Sequence, residues 1–565
     1  MLIGLDVGGT YTDAVLIDKE KVVKKVKTPT NPENLLESLL SALNPLLDAA
    51  GDHKIERIVL STTLITNMIA TNDVDPVALV LIPGPGLNPN TYRFKATQCY
   101  VISGAIDYRG REIEPLKESE IKACLESIKR EGIKRVAIVG KFSQRNNLHE
   151  KTVASYFSSH APDLKIIMGH QVTGRLNFPR RVVTTLLTLA TRERYANFYK
   201  QVVNALGEKG ISAPLYILKA DGGTLPFSKS LSKPVETIFS GPAASTLGVL
   251  ALTPKNQTSV VLDIGGTTTD LALILSGKPL IASRGAKIDG DYTHIRGFAT
   301  KSIPIGGDSI VTAKNNSLEI LPKREGPAYC LGGPQPTPTD AMRVAGLTNI
   351  GDEKRAYRCM ENLGASLNIS PEETAKLVLN QFVKKIALEI DNMFLSWEQE
   401  PAYRVWEILQ KKKIRPQNVV GIGGAAAAIL PLLEKEMGCK AIIPPHAEVA
   451  NAIGAALAKV NLCLTFHFDT ERNFYFIEEN GVQERLSVSL PDERHAIDFC
   501  MKRLREEGEK LGIPVDEEPE ILYSEVFNMV RGWRTTGKLY DICVQFPTGI
   551  MANWLERERR EQYAE

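Results

Sequence analysis

Asp6 and Asp263 each close an apolar run and are followed by one residue, two glycines, a set of threonines and a second Asp. The stretches IGLDVGGTYTDAVLI (3–17) and VVLDIGGTTTDLALI (260–274) share nine of fifteen residues. Glycines without Cβ let a phosphate reach the backbone, whose amides can point at its oxygens. A carboxylate ahead of such a turn cannot usefully touch a phosphate. It can hold hydrated Mg²⁺, which takes one or two carboxylates and keeps several waters. The pattern assigns Asp6 and Asp263 to the metal and Gly8, Gly9, Gly265 and Gly266 to the phosphates. Thr10, Thr12, Thr267 and Thr269 add hydroxyl donors, and Asp6, Thr10, Asp263 and Thr267 form the expected catalytic set. One copy would read as an ordinary hairpin turn. Two copies that keep the Asp, both glycines and both threonines predict a nucleotide triphosphate gripped from both sides.

The elements that position these residues follow from local pattern. Each copy is a β-rich run, a glycine turn expected to use positive φ, and a second β-rich run, which predicts a hairpin. A separation of 257 residues between Asp6 and Asp263 suits two related domains and not a short-period repeat. VVGIGGAAAAILPLLEKEMG (419–438) reads as strand, turn and helix, and its Gly423 and Gly424 let a base and ribose lie against backbone. In IIPPHAEVANAIGAALAKV (442–460), Ala450, Gly454 and Ala458 form a small-residue stripe that permits close helix contact.

A chain of 565 residues exceeds one hydrophobic core. Three domains are expected: 1–185, 186–460 with the adenosine site, and 461–565. With 68 basic against 66 acidic residues the net charge is +2, so no bulk field favours nucleic acid or an anionic membrane. No apolar run approaches the roughly 20 residues that span a bilayer, and the N-terminus enters a strand without a signal-peptide pattern, so a cytoplasmic protein is expected. None of the eight cysteines forms a Cys-x-x-Cys pair, which suits reduced core thiols. Cys330, in a Gly/Pro-rich loop, is the least implausible reactive one. None of the eight histidines pairs at metal-ligand spacing, and His149, His170, His294 and His446 read as surface loop residues.

The order of these parts resembles the actin, heat-shock ATPase and sugar kinase superfamily. Residues 6–13, 263–270, 421–426 and 450–458 look like its two phosphate motifs, adenosine motif and second connecting motif; FPRRVVTTLLTLATRERY (178–195) stands for the first connecting motif. Within it the chain resembles the A-type subunit of the hydantoinase and 5-oxoprolinase family. That resemblance rests on STTLITNMI (61–69), DYRGREIEPL (107–116), KADGGTLPF with IFSGPAASTLG (219–248), IPIGGDSI (303–310) and EGPAYCLGGPQPTPTDA (325–341). Ser61, Asp308 and the Tyr329-Cys330 order depart from the family pattern, at places that bear on the substrate more than on the nucleotide.

The resemblance implies an α/β fold of duplicated actin-like (ribonuclease H-like) ATPase domains around a nucleotide cleft, with a small C-terminal α+β domain. It implies ATP and Mg²⁺ as cofactors and a hydrolase that activates a cyclic amide, such as a hydantoin or 5-oxoproline-like lactam, for ring opening. Alternatives are a ketone carboxylase subunit of the same family, or an actin-like ATPase switch or reactivating factor acting on a partner protein. A plain sugar kinase ranks lower, because no catalytic Asp stands in a sugar-kinase context. Expected partners are the small cyclic amide or ketone, a B-type hydantoinase subunit and a second copy of the chain, with neither nucleic acid nor membrane. Thr63, Asn67, Asp107 and Arg109, from loops near the first hairpin, are the substrate candidates; Asn and Asp would hydrogen-bond a lactam, and Arg109 would pair with a carboxylate. Asp-Tyr-Arg-Gly reads equally well as turn chemistry. Farther on, 464–481 reads as a hairpin, 493–511 as an amphipathic helix, and 526–546 as a hairpin turning at Thr-Thr-Gly-Lys. Trp533 among basic residues suits an exposed hairpin or subunit interface, and 554–565 reads as a solvated helix end.

Overall fold

Leu2–Val7 is buried along its whole length, as a strand covered on both faces must be. In the computed structural model, which describes residues 1–19, 21–86, 97–253, 256–314, 317–399, 414–513 and 517–551, it lies inside a six-stranded sheet. It pairs antiparallel with Tyr11–Asp18 and parallel with Arg57–Thr62. Lys21–Pro29 extends the sheet on one side, and Leu215–Leu218 and Thr224–Pro226 on the other. A second, all-parallel sheet is formed by Lys165–Met168, Arg135–Gly140, Val77–Ile82 and Thr97–Val101.

The third sheet repeats the first. Ser259–Ile264 pairs antiparallel with Thr269–Leu275 and parallel with Asn418–Ile422. The register aligns Asp263 with Asp270 as the first hairpin aligns Asp6 with Asp13. The fold is thus α/β with a duplicated core, as the resemblance implied. The first division expected, at 185, falls inside the 31-residue helix Phe178–Glu208. Because Leu215–Leu218 hydrogen-bonds to Arg57–Thr62, the first sheet draws its strands from well past that point. The helix starts at Asn177, whose side chain accepts from the Arg180 amide, with Pro179 in its first turn.

Close helix packing joins the two halves. Ala450–Leu457 lies between Leu2–Val7 and the Ser240–Leu252 helix. A Cβ at Gly454 would fall inside the van der Waals shell of the Ala244 carbonyl oxygen, and one at Gly248 inside that of the Ala450 carbonyl. A Cβ at Gly4 would strike the Ala452 carbonyl oxygen. The small-residue stripe therefore brings backbone against backbone where the halves meet, although Ala458 itself follows the helix as its C-cap.

The C-terminal sheet is antiparallel, in the order Gln483–Arg485, Phe474–Ile477, Cys463–Asp469, Arg534–Gln545, Glu520–Arg531. The helix Glu493–Leu511 covers one face, with Cys500 and Leu504 packed against Phe466, Phe468 and Tyr540. The long hairpin turns at Gly532 and Trp533, three residues earlier than expected, because Gly532 takes the positive φ (63°) the turn requires. Thr535 to Lys538 continue the strand, and Trp533 is fully exposed. The tail at 554–565 lies outside the described residues.

The contact between glycines predicts a large cost for one methyl group. Gly454→Ala is expected to destabilise the protein by about 3 kcal/mol, the upper end for overpacking because the obstruction is backbone. Equilibrium denaturation would measure it, and Gly424→Ala, where a Cβ meets nothing within 4 Å, is the folding control.

Candidate functional site

Both hairpins end at the helix Ser240–Leu252. A Cβ on Gly241 would lie 4.0 Å from Asp6 Oδ1, and Ser245 donates to Asp263 Oδ2 at 2.9 Å. Residues i and i+4 of a helix are separated by about 6 Å along its axis. One helical turn therefore spans from the first Asp to the second, which brings Asp6 and Asp263 near each other. The helix begins at Phe239, which has left-handed φ and makes no side-chain cap. Its first-turn amides and dipole thus favour negative charge beside Asp6.

Four carboxylates meet here. Asn451, at the start of the small-residue helix, donates to Asp6 Oδ2 at 2.6 Å and Asp13 Oδ2 at 2.9 Å. Lys27 pairs with Asp13 Oδ1 at 2.6 Å. Burial raises Asp6 to about 6, with the Asp13 and Asp263 charges adding to the shift. Burial also raises Asp13 and Asp263, and lifts Asp270 to about 7 with help from the Asp263 charge. Asp6 Oδ1 is buried without a hydrogen-bond partner.

Those features fit a divalent cation with a polyphosphate. Buried like charges and an orphaned carboxylate oxygen are costly unless a cation neutralises them, and Mg²⁺ needs only one or two carboxylates when phosphates and waters complete its shell. Among the described residues no three His, Cys, Asp or Glu side chains converge as a self-sufficient metal site. Space for a ligand lies alongside: ideal Cβ atoms on Gly9 and Gly424 meet nothing within 4 Å.

The glycines act by close approach more than by φ. None of Gly8, Gly9, Gly265 and Gly266 has positive φ, contrary to expectation. A Cβ on Gly8 would lie 2.8 Å from the Tyr11 carbonyl, and one on Gly266 2.7 Å from Asp308 Oδ2. Gly423 alone of the expected nucleotide-site glycines has positive φ (85°), and a Cβ there would lie 2.7 Å from Asp263 Oδ1. The turn it makes leads into the helix Ala426–Met437, whose N-cap Ala425 offers no side-chain acceptor.

The threonines divide by position. Thr10 and Thr267 are exposed at the turn tips. Thr12 and Thr269 are buried and already bonded, to Thr30 Oγ1 at 2.9 Å and to the Ile305 carbonyl at 2.8 Å. Their buried hydroxyls hold the hairpins, that of Thr269 by donating to the Ile305 carbonyl. Thr63 grips the end of the first strand through the Val7 carbonyl at 3.2 Å, and Asn67 donates to Thr63 one turn later. Asp107 forms a turn, accepting from the Arg109 and Arg111 amides, while the Arg109 carbonyl accepts from Arg472 at 2.7 Å. The last contact ties the Arg109 backbone to the C-terminal unit, and none of these hydrogen bonds reaches either hairpin.

Several participants lay outside the expected set. Asp13 and Asp270 were visible in the repeat as its second shared Asp. Ser245 and Asn451 carried no local signal, since they act across 18 and 445 residues. Ser61 joins the first sheet to the same helix through Ser240 Oγ at 3.1 Å. The IPIGGDSI loop caps the second hairpin: Gly307 and Asp308 amides donate to the Gly265 and Gly266 carbonyls at 2.9 and 2.7 Å. Asp308 also pairs with Arg324 at 3.0 Å.

Other expectations change. Cys330 is buried, and desolvation with the Asp340 charge pushes its thiol up to about 12, which makes it a poor nucleophile. His149 and His170 lie buried in helices, against Glu112 and Glu150, and are not surface loop residues. No helix among the described residues is long and apolar enough to cross a membrane.

Comparison with known proteins places this arrangement in a family. Residues 2–161 match the hydantoinase/oxoprolinase N-terminal region, and residues 181–462 match hydantoinase/oxoprolinase itself. The chain belongs to the hydantoinase/oxoprolinase family. Caprolactamase subunit alpha of Pseudomonas jessenii is 24% identical over 502 residues, covering 81% of this chain and 70% of that one. Acetophenone carboxylase gamma subunit of Aromatoleum aromaticum is 24% identical over 596 residues, covering 94% and 77%. Two solved structures share the fold, each with a TM-score of 0.72 over 98% of this chain and 88% of theirs: nucleotide-free acetone carboxylase at 17% identity, and the ATP-dependent caprolactamase of P. jessenii at 20%.

The carboxylate cluster sets a pH dependence. A buried Asp6 raised from 3.8 to about 6 binds its proton in the folded state where the unfolded chain has lost it. That stabilisation is complete below about pH 4 and is lost as pH rises through about 6. Asp6→Asn is therefore expected to stabilise the ligand-free protein at pH 7 by on the order of 1–3 kcal/mol, and by little at pH 4. Thermal melts of both forms across pH 4–8 would read the difference.

Proposed function

We propose that this hydantoinase/oxoprolinase family member is a Mg²⁺- and ATP-dependent enzyme that activates a cyclic amide for ring opening. The observation that carries the reading is the convergence of Asp6 and Asp263 on one turn of the Ser240–Leu252 helix. Asp6 and Asp263 would hold the hydrated metal, with Asn451 and Ser245 fixing their orientation. Exposed Thr10 and Thr267, with the turn amides of Gly9 and Gly266, would face the phosphates. The turn at Gly423 and Gly424 would border the nucleoside.

An amide carbonyl resists attack because its nitrogen donates into it. When bound, Mg·ATP supplies a γ-phosphoryl group, whose transfer to the amide oxygen would create a leaving group. The chain's share of that work is positioning and charge neutralisation. Carboxylation of a ketone is the second reading, favoured by the match to acetophenone carboxylase gamma subunit across 94% of this chain. The caprolactamase and acetophenone carboxylase relatives are both named as subunits, which supports a partner chain, here proposed as a B-type subunit. Eight unpaired cysteines suit a cytoplasmic setting.

Titration calorimetry with ATP and Mg²⁺ is expected to show binding by the wild-type protein. Asp263→Asn and Asp6→Asn should each weaken it by about 100-fold or more, the loss of a charged metal ligand. Absence of binding by the wild type sinks the proposal. Phosphate release in the presence of lactams, or of ketones with bicarbonate, separates the two reactions.

A further inference from the structure

Two cysteines meet in the C-terminal sheet. Cys463–Asp469 and Arg534–Gln545 are antiparallel neighbours, with Cys463 opposite Gln545 and Thr465 opposite Cys543. Residues two apart on a strand share a face, so Cys463 and Cys543 are diagonal neighbours on one face of the sheet. Their Sγ atoms lie 3.4 Å apart, in contact, against about 2.05 Å in a disulfide. Both thiols are free.

Access to the two differs. Cys463 is half-buried and lines a cavity of about 250 Å³ between the Phe178–Glu208 helix, the 219–236 segment and the start of the C-terminal unit. Cys543 is buried, at 4% exposure. A water molecule takes about 30 Å³ of the liquid, so the cavity admits a reagent the size of hydrogen peroxide.

The charges around them differ as well. Arg296 Nη1 donates to Cys463 Sγ at 2.8 Å, and Thr465 Oγ1 donates to Cys543 Sγ at 3.5 Å. Arg296 stays cationic despite its burial, because the charges of Cys463 and Asp221 both act on it. The hydrogen bond from Cys543 lowers Cys463 against the effect of burial, and the Arg296 charge lowers it further. The same hydrogen bond, with burial, raises Cys543. Of the eight thiols Cys463 alone is shifted down, since burial raises the remaining six. A thiolate beside a cation, touching a protonated thiol, is the arrangement of an attacking and a resolving cysteine.

We propose that Cys463 and Cys543 form a reversible redox pair, in which a hydroperoxide oxidises Cys463 and Cys543 then closes a disulfide across the two strands. The Cys463 thiolate attacks the terminal peroxide oxygen, the O–O bond breaks, and a sulfenic acid forms as the alcohol or water leaves. Cys543 sulfur attacks the sulfenic sulfur, the S–O bond breaks, and water leaves with the Cys543 proton. In sum two thiols and one hydroperoxide give one disulfide, one alcohol (or water) and one water; the peroxide gains the two electrons that the sulfurs lose. A resting dithiol suits the cytoplasmic setting proposed above, where disulfides are mostly transient and redox-sensing. The exposure of Cys463 leaves the bond open to a dithiol reductant. The pair does not depend on the cyclic-amide reading.

Treatment of the full chain with hydrogen peroxide, alkylation of the remaining thiols and non-reducing peptide mass spectrometry test the pair. The expected product is a Cys463–Cys543 linkage that dithiothreitol reverses, formed about tenfold or more faster than oxidation of the exposed Cys99. Cys543→Ser should stop the reaction at a sulfenic acid on Cys463, trapped by dimedone, and Cys463→Ser should leave Cys543 reduced. Arg296→Gln should slow the oxidation of Cys463, and Arg296→Lys should recover part of the rate. Where a variant does not fold, the wild-type linkage and its rate against Cys99 decide alone. Cys463 and Cys543 remaining unlinked when Cys99 is oxidised, or Cys463 linking to another cysteine instead, overturns the proposal.

Discussion

Buried negative charge is the constraint around which the molecule is built. Asp6 and Asp13 are buried, with Asp263 and Asp270 half-buried beside them and Lys27 paired to Asp13. In a low dielectric such a cluster repels itself, and the fold tolerates it because Asn451 and Ser245 donate to three of the four carboxylates. Much of the remaining imbalance is what a divalent cation would cancel. Ligand affinity and ligand-free instability are in this sense one property seen from two sides.

Holding those charges in register requires rigid parts close together. The Ser240–Leu252 and Ala450–Leu457 helices approach through Gly248 and Gly454, and Leu2–Val7 approaches the latter through Gly4. The elements carrying Ser245 and Asn451 are thereby packed against the strand carrying Asp6. A movement of either half alters the spacing of the carboxylates directly. Asn461 follows closely on the same helix, and its backbone N–H donates to the Thr224 carbonyl of the first sheet.

The family relationship and the geometry constrain different things. Matches across 2–161 and 181–462 fix kinship and fold. They do not distinguish ring opening from carboxylation, since relatives of both kinds match with the same identity of 24%. The geometry adds where two side chains that depart from the family pattern lie: Asp308 against the second turn and Ser61 against Ser240.

The sequence by itself determined the duplicated Asp-x-Gly-Gly hairpins, the α/β class and the small-residue helix, because each is written in contiguous residues: apolar runs around a glycine turn, or side chains small enough for close packing. It also suggested reasons that did not hold: no glycine of the two hairpin turns takes positive φ, Gly8 and Gly266 serving close approach instead, and Thr12 and Thr269 brace the hairpins from within. Only the tertiary structure decided which distant groups complete the site. Ser245 and Asn451 reach the carboxylates through helices placed by long-range packing, while the Arg109 carbonyl accepts from Arg472 and its guanidinium lies over the Tyr108 ring. Hydrogen bonds spanning hundreds of residues leave no local pattern, since any polar residue on the right face of a helix would look the same until the halves close around it.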